Sequence, residues 1–262
     1  MKKLGFTLAE ILITLGIIGV VASLTAPALI QEAGNAKIGP TLSKTVASIA
    51  VANENLLHEN EIATLRRLGD ATEDTGDIAQ YTQLLAQHLS GATVINADYS
   101  EMEITDFLGN TPQDATRSGN GYNGNQNNRI STILLPNGVT VTFDKAATLP
   151  GNVHYNHNID DRGSFIGYHS GVMVDINGPN TKPNRYGQDI FLFALDNSGS
   201  VIPYGSEQFR WLTTEGDNTE ENVWSGADAY ACNASAVGNS SGMAGIGCAG
   251  SIFDNSLKVI YK

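Results

Sequence analysis

An aspartate- and asparagine-rich stretch in the second half of the chain carries hard oxygen atoms at close spacing. It reads VDINGPNTKPNRYGQDIF, and its oxygen-bearing acids and amides are Asp175, Asn177, Asn180, Asn184 and Asp189. Calcium takes about six to eight oxygen ligands, some of them carbonyls and waters. The EF-hand pattern does not fit, because Pro179 stands at a ligand position and no glutamate closes the loop. Asp175, Asn177 and Asp189 are the candidate calcium ligands, although an ordinary loop held by Asx turns is the interpretation that the sequence favours.

Two other stretches match the spacing of reactive motifs. His154 and His157 stand before two aspartates, but an H-x-x-H pair without a third ligand is more typical of a polar loop than of a transition-metal site. Residues 238–242 match the G-x-S-x-G string of hydrolases, yet their flanks are Ala, Ser and Gly, not the strand and helix that this motif requires. No phosphate-binding loop or nucleotide fingerprint accompanies them. The sequence therefore predicts that the chain is not an enzyme.

The chain has two cysteines, Cys232 and Cys248. Two are too few for a disulfide framework or a four-cysteine zinc site. In an oxidising compartment a bridge between them would close a 17-residue loop (248 − 232 + 1) and stabilise the fold by about 3 kcal/mol in the chain-entropy model. We expect the bridge, with two free thiols as the alternative.

The first thirty residues combine a basic start with a long apolar run. No charged residue occurs from Ile11 to Gln31, and such a run rises about 31 Å as a helix, close to the ~30 Å hydrocarbon core of a bilayer. Lys2 and Lys3 precede it, so the positive-inside rule leaves the N-terminus in the cytoplasm and the rest of the chain outside. A carboxylate such as Glu10 costs about 2.5 to 3.5 kcal/mol inside the apolar layer and therefore indicates a function. The alternative is that Glu10 lies at the headgroup boundary, where it costs little.

The string KKLGFTLAE, residues 2–10, followed by the apolar run with Pro27, closely resembles the N-terminus of type IV prepilins and type II secretion pseudopilins. A secretory signal peptide with a loose cleavage site at residues 22–26 and a plain membrane anchor are the alternatives. Neither alternative gives Glu10 a role.

The resemblance implies that a membrane peptidase cleaves between Gly5 and Phe6 and that Phe6 is then methylated. Glu10 would pair with the N-terminal amine of a neighbouring subunit, which relieves two charges in lipid. The implied partners are the prepilin peptidase, an inner-membrane assembly platform, a cytoplasmic assembly ATPase and other pilins in a filament. Major pseudopilins carry calcium in a loop of this general region, and many pilins have a C-terminal disulfide loop, so the resemblance supports both of those expectations. No other cofactor is implied.

Beyond residue 31 the patterns predict an α+β domain. Apolar residues from Ile38 to Leu56 recur at helical spacing and predict an amphipathic continuation of the first helix, with a stop near residues 66–69 and an alternative break at Gly39–Pro40. EDTGDIAQYTQLLAQHLSG predicts a short second helix. RISTILLPNGVTVTFD predicts a hairpin around Asn-Gly, and SGVMVDI and DIFLFALDNSGSVIPYG predict further strands, about four in an antiparallel sheet.

The predicted organisation is a leader over 1–5, a membrane and polymerisation helix over 6–31, its amphipathic continuation over 32–68 and an extracytoplasmic pilin-like domain over 69–262. The chain would cross the bacterial inner membrane once. A net charge of −12 with 15 basic residues argues against binding to nucleic acid. A type II secretion pseudopilin is the favoured function. The alternatives are a type IV pilus subunit for adhesion, motility or DNA uptake, and a membrane-anchored extracytoplasmic binding protein that never polymerises.

Overall fold

The computed structural model describes residues 7–61, 78–95, 104–105, 107, 109, 130–144, 171–195, 198–206, 232, 245 and 247–257. Within them the chain forms three helices and six strands. In order these are α1 (Leu8–Glu59), α2 (Ile78–Gln87), β1 (Thr93–Ile95), β2 (Ile130–Leu134), β3 (Thr140–Asp144), β4 (Gly171–Asp175), β5 (Ile190–Leu195), β6 (Val201–Pro203) and α3 (Cys248–Asp254).

Helix α1 is continuous over 52 residues. It stays helical through Pro40, so the alternative break at Gly39–Pro40 does not form. The helix ends at Glu59, where the backbone N–H of Asn60 donates to the carbonyl of Leu56 at 3.2 Å. The Asn60 side chain donates to the same carbonyl at 2.8 Å, which satisfies an acceptor that a helix end leaves open. The end lies before the predicted stop at 66–69, which is outside the described residues.

The described strands form one antiparallel sheet in the order β1-β2-β3-β4-β5-β6. The hairpin predicted around Asn137 and Gly138 joins β2 to β3, and Gly138 takes the positive φ of +87° that such a turn requires. The expected number of about four strands was too low, since the edge strands β1 and β6 have only three residues each. Short edge strands give little period-2 signal in the sequence.

The helices cover one face of this sheet. Alternate residues of the central strands, such as Val172, Val174, Phe191 and Phe193, join the same core as the helices. Helix α2 lies over β1 to β3, where the ring of Tyr81 meets that of Phe143 edge-on at 5.2 Å. Helix α3 lies over β5 and β6. The α+β class predicted from the sequence is confirmed.

The second half of α1 is built into this core. Its predicted apolar stripe is buried at Ile38, Leu42, Ile49, Ala52 and Leu56, none of them more than 5% exposed. Asn53, also buried, donates from Nδ2 to the carbonyl of Gly199 at 2.8 Å and accepts from the Tyr81 hydroxyl at 2.8 Å. One side chain thus connects α1, α2 and the turn before β6, so the second half of α1 belongs to the domain.

Candidate functional site

The first half of α1 has the length and composition of a membrane span. Residues Leu8–Ala26 form a 19-residue apolar stretch, about 28 Å long as a helix, and none of it is buried against the rest of the protein. Its large apolar side chains are between 45% and 75% exposed. A helix of this kind is typical of a membrane span or of an N-terminal signal sequence.

Hydroxyl groups in this half are satisfied within the helix. Thr14 donates to the carbonyl of Glu10 at 2.6 Å, Ser23 to that of Val20 at 2.8 Å and Thr25 to that of Val21 at 2.9 Å. Because a bilayer offers no water to a polar group, such bonds back to the preceding turn remove the cost of burying these hydroxyls in lipid.

Glu10 takes part in a capping box at the start of α1. Its Oε2 accepts from the backbone N–H and the hydroxyl of Thr7, each at 2.8 Å, while the Thr7 hydroxyl accepts from the Glu10 N–H at 3.2 Å. The arrangement satisfies two open donors of the first turn. The carboxylate therefore has a partner inside its own chain. Thr7 was not among the predicted site residues, although the T-x-x-E spacing is a signal that could have found it.

The predicted processing residues, Gly5 and Phe6, lie outside the described residues. His154, His157 and residues 238–242 also lie outside them.

The Asx loop, residues 175–189, joins β4 to β5 and contains the predicted calcium ligands. Asp175 ends β4 and is fully buried. Its Oδ1 accepts from the backbone N–H of Asn177 at 3.1 Å and of Gly178 at 2.9 Å, as in an Asx turn. Burial raises the pKa of Asp175 to about 6. The negative charge of Asp189 also raises this pKa, while the two backbone hydrogen bonds lower it.

Asp189 holds the other end of the Asx loop. Its Oδ2 accepts from the backbone N–H of Asn184 at 2.8 Å and from the side-chain amide of Asn177 at 3.3 Å, while Oδ1 accepts from the N–H of Arg185. Asp189 is only 3% exposed. The structure thus brings together Asp175, Asn177 and Asp189, the three residues that the sequence analysis named as candidate calcium ligands.

Buried oxygens without a hydrogen-bond partner concentrate at this loop. Among the described residues the unpartnered buried side-chain atoms are Thr105 Oγ1, Asp175 Oδ2, Asn177 Oδ1 and Asn184 Oδ1. Thr105 lies beside the loop, since its N–H donates to the Asn184 carbonyl at 3.0 Å. An unsatisfied buried polar group costs about 1 to 3 kcal/mol, so three on this loop and one on the residue beside it require an explanation.

A hard cation such as calcium fits this donor set. The unpartnered atoms are oxygens of one carboxylate, two amides and one hydroxyl, and the carboxylates of Asp175 and Asp189 would offset the cation's charge. In the described part of the chain no group of three or more His, Cys, Asp or Glu side chains is found, so a cation here would rely on amide and hydroxyl oxygens beside the two carboxylates. The sequence analysis noted Asn184 as an oxygen-bearing residue but did not include it among the candidate ligands. Thr105 could not be predicted from its sequence neighbourhood, because only the tertiary fold brings it beside the Asx loop.

The bridge between Cys232 and Cys248 is present, as predicted, and the described residues contain no free cysteine. Cys248 begins α3 and is fully buried.

Comparisons with protein-family models, with curated proteins and with solved structures returned no match to this chain.

Proposed function

We propose that this chain is a structural subunit of a type IV pilus-like filament, most closely a type II secretion pseudopilin. The observation that carries the proposal is the contrast within α1. Its first half is apolar on every side with one carboxylate, Glu10, at its start, whereas its second half is fixed into the α+β domain. A helix with these two halves suits a subunit that waits in the membrane and then packs with copies of itself.

Processing follows from the residues before α1. In the proposed pathway, prepilin peptidase cleaves after Gly5, Phe6 is methylated, and the domain lies outside the inner membrane. Thr7 then becomes the second residue of the mature chain. A new positive amine would stand about one helical turn from Glu10.

The capping box gives the waiting subunit a defined state. Glu10 is held by Thr7 while the subunit is single, so its carboxylate is not left unpaired in the apolar layer. On assembly the positively charged amine of a neighbouring subunit competes for the carboxylate, and an ion pair with good geometry is stronger than the two hydrogen bonds from the uncharged donors of Thr7. The exchange fixes the axial position of each added subunit.

Site-specific photo-crosslinking tests the filament proposal. A photoreactive amino acid at Leu15, which is 61% exposed, should trap neighbouring subunits and give a ladder at multiples of the chain mass in cells with the assembly machinery. The same probe in a Glu10→Gln chain should give far fewer bands. A probe at Leu15 that yields only monomers and lipid adducts would indicate a membrane-anchored binding protein instead.

The choice between secretion and pilus machinery needs a second observation. Deleting the gene should stop export of secreted proteins if the chain is a pseudopilin, and should remove surface fibres, adhesion, motility or DNA uptake if it is a pilus subunit. Neighbouring genes for a secretin or for a retraction ATPase separate the two in the same way.

Calcium binding at the Asx loop is a second proposal, and the four unpartnered oxygens favour it. Thr105, Asp175, Asn177 and Asn184 would hold the ion through these oxygens, and Asp189 would add its carboxylate. The ion would supply charge balance for the two buried carboxylates and fix the loop between β4 and β5. Titration calorimetry with calcium on the full-length chain should show a single site that Asp175→Asn removes. Asp254→Asn, an exposed acid in α3, is the matched control and should leave binding unchanged.

A further inference from the structure

The disulfide lies directly against the Asx loop. A Cβ placed on Gly187 would come within 2.4 Å of the Sγ of Cys248, so the glycine backbone and the sulfur are in contact. Gly187 also has a positive φ of +79°, which a larger residue adopts at a cost. No side chain can separate the bridge from the loop at this point.

The segment that carries Cys248 packs on the same side of the loop at a second place. A Cβ on Gly245 would come within 2.4 Å of the carbonyl oxygen of Tyr186. Gly245 is joined to the bridge by a hydrogen bond from the N–H of Cys248 to its carbonyl at 3.1 Å. These two contacts place Gly245 against Tyr186 and Cys248 against Gly187.

The loop residues under this contact belong to the turn that orients Asp189. Backbone N–H groups of Gln188, Asp189 and Ile190 donate to the carbonyl of Arg185. The Asp189 carboxylate closes the same turn by accepting from the N–H of Asn184 and of Arg185. A displacement of Gly187 would therefore move Asp189, which is one of the candidate ligands.

We infer that the Cys232–Cys248 bridge and the cation site of the Asx loop are thermodynamically coupled. The inference rests on the proposed binding of calcium. An occupied site holds residues 184–189 in place and so keeps the sulfur of Cys248 covered, which protects the bridge from reduction. By reciprocity, the intact bridge tightens calcium binding by the factor by which calcium shifts the equilibrium constant of reduction.

The reduction is an ordinary thiol–disulfide exchange with a dithiol. One thiolate of dithiothreitol attacks a sulfur of the bridge, forms a mixed disulfide and releases one cysteine thiolate. The second thiol of the reagent displaces the other cysteine and closes the cyclic oxidised reagent. Two electrons pass to the protein, and the two protons of the reagent end on the two cysteines. The first attack requires access to a sulfur. Cys248 is fully buried and Cys232 is partly buried, so both sulfurs are shielded to some extent in the folded chain.

The test measures the rate of this reduction on the full-length chain in detergent micelles, by trapping free thiols at timed intervals. If the opening that exposes the sulfur also releases the cation, the rate falls by up to 1 + [Ca]/Kd, or about a hundredfold at a hundred times Kd. We expect a fall of about tenfold in calcium relative to chelator, within the usual range of coupling. The Asp175→Asn chain should be reduced at one rate in both buffers, and Asp254→Asn should behave as the unchanged chain.

The reciprocal arm measures calcium affinity on the Cys232→Ser chain, after its circular dichroism has shown that it folds. Its Kd should rise relative to the unchanged chain because the equilibrium coupling acts on affinity in both directions, although the size of the rise need not equal the change in reduction rate. Calcium binding with equal reduction rates in calcium and chelator would overturn the coupling and leave the calcium site standing. Failure of the unchanged chain to bind calcium would overturn both. Slower reduction in the Asp175→Asn chain as well would show a general salt effect and would contradict the coupling.

Discussion

The two halves of α1 have the same backbone and opposite surroundings. From Leu8 to Leu29 the described large apolar side chains are exposed, whereas from Ile38 to Leu56 the apolar stripe is buried against a sheet and two other helices. The first half is apolar all round and the second is apolar along one stripe. Hydrophobic periodicity, not helix propensity, decides which half the domain can bury.

The polar residues of the two halves of α1 differ in where their hydrogen-bond partners lie. Glu10 in the exposed half bonds only to its own first turn, while Asn53 in the packed half connects three elements of the domain. A polar group that is satisfied locally can exchange its partner when another chain approaches. A group that is satisfied by tertiary contacts cannot do so without loosening the domain.

Replacing the carboxylate of the exposed half should have the largest effect. We expect Glu10→Gln to reduce incorporation into filaments by roughly two to four orders of magnitude, because losing one partner of a buried ion pair costs about 3 to 5 kcal/mol. The intensity of the crosslinked ladder from a probe at Leu15, relative to the monomer band, measures it. Glu54→Gln, an exposed acid in the packed half, is the control. Equal incorporation of Glu10→Gln and the unchanged chain would remove the assembly role of Glu10.

Truncating apolar side chains should distinguish the halves by stability. Leu42→Ala opens a cavity in the core and should lower the free energy of unfolding by about 2 to 5 kcal/mol. Leu15→Ala should change it by less than about 0.5 kcal/mol, because that side chain packs against nothing in the domain. Urea unfolding of the detergent-solubilised chain compares the two. The comparison fails if both variants unfold at the same urea concentration.

The asparagine of the packed half should have a smaller effect. Asn53→Ala leaves the carbonyl of Gly199 and the hydroxyl of Tyr81 without their partner, and we expect a loss of about 1 to 3 kcal/mol in the free energy of unfolding. Asn55→Ala, two residues along on the exposed side, should be nearly neutral. A loss as small as that of the control would show that the network connecting α1, α2 and the β6 turn does not stabilise the domain.

The smallest effect concerns pH and is confined to the domain. In chelator, the raised pKa of Asp175, about 6, means that the folded chain holds a proton that the unfolded chain has released. The contribution of this proton to the free energy of unfolding is at its maximum below about pH 4, near the pKa of Asp175 in the unfolded chain, and it is lost as the pH rises through about 6. Between pH 5 and pH 7 we expect a decrease of about 1 kcal/mol.

Thermal unfolding at both pH values measures this decrease. The Asp175→Asn chain should lack this part of the pH dependence, and Leu15→Ala, in the exposed half, should retain it. A free energy of unfolding that changes equally with pH in the Asp175→Asn chain would assign the dependence to other groups.

Local patterns predicted much of this fold. In the stripe from Ile38 to Leu56 and in the second helix, apolar residues recur with the period of a helix. The hairpin has alternating strands around an Asn137-Gly138 turn signal, so each of these elements is specified by one continuous stretch of sequence. Strand β1 was missed because three residues are too few to show alternation. The end of α1 at Glu59 depends on a cap by Asn60, whereas the sequence pattern predicted a stop near residues 66–69.

The candidate sites were predicted only where their residues are close in sequence. Asp175, Asn177 and Asp189 lie on one loop between two recognisable strands, and Glu10 lies in a short motif. Thr105 reaches the Asx loop only through its pairing with Asn184 and Tyr186. The contact of Cys248 with Gly187 likewise depends on the tertiary fold, since nothing in either stretch of sequence indicates the other.

The most direct test of the filament account is the intact mass, with N-terminal fragmentation, of the chain recovered from its native membrane without reductant. The account predicts a chain that begins at N-methylated Phe6 and that is lighter by the two hydrogens of the Cys232–Cys248 bridge. A chain that still begins at Met1, or one cleaved near Ala26, would contradict it.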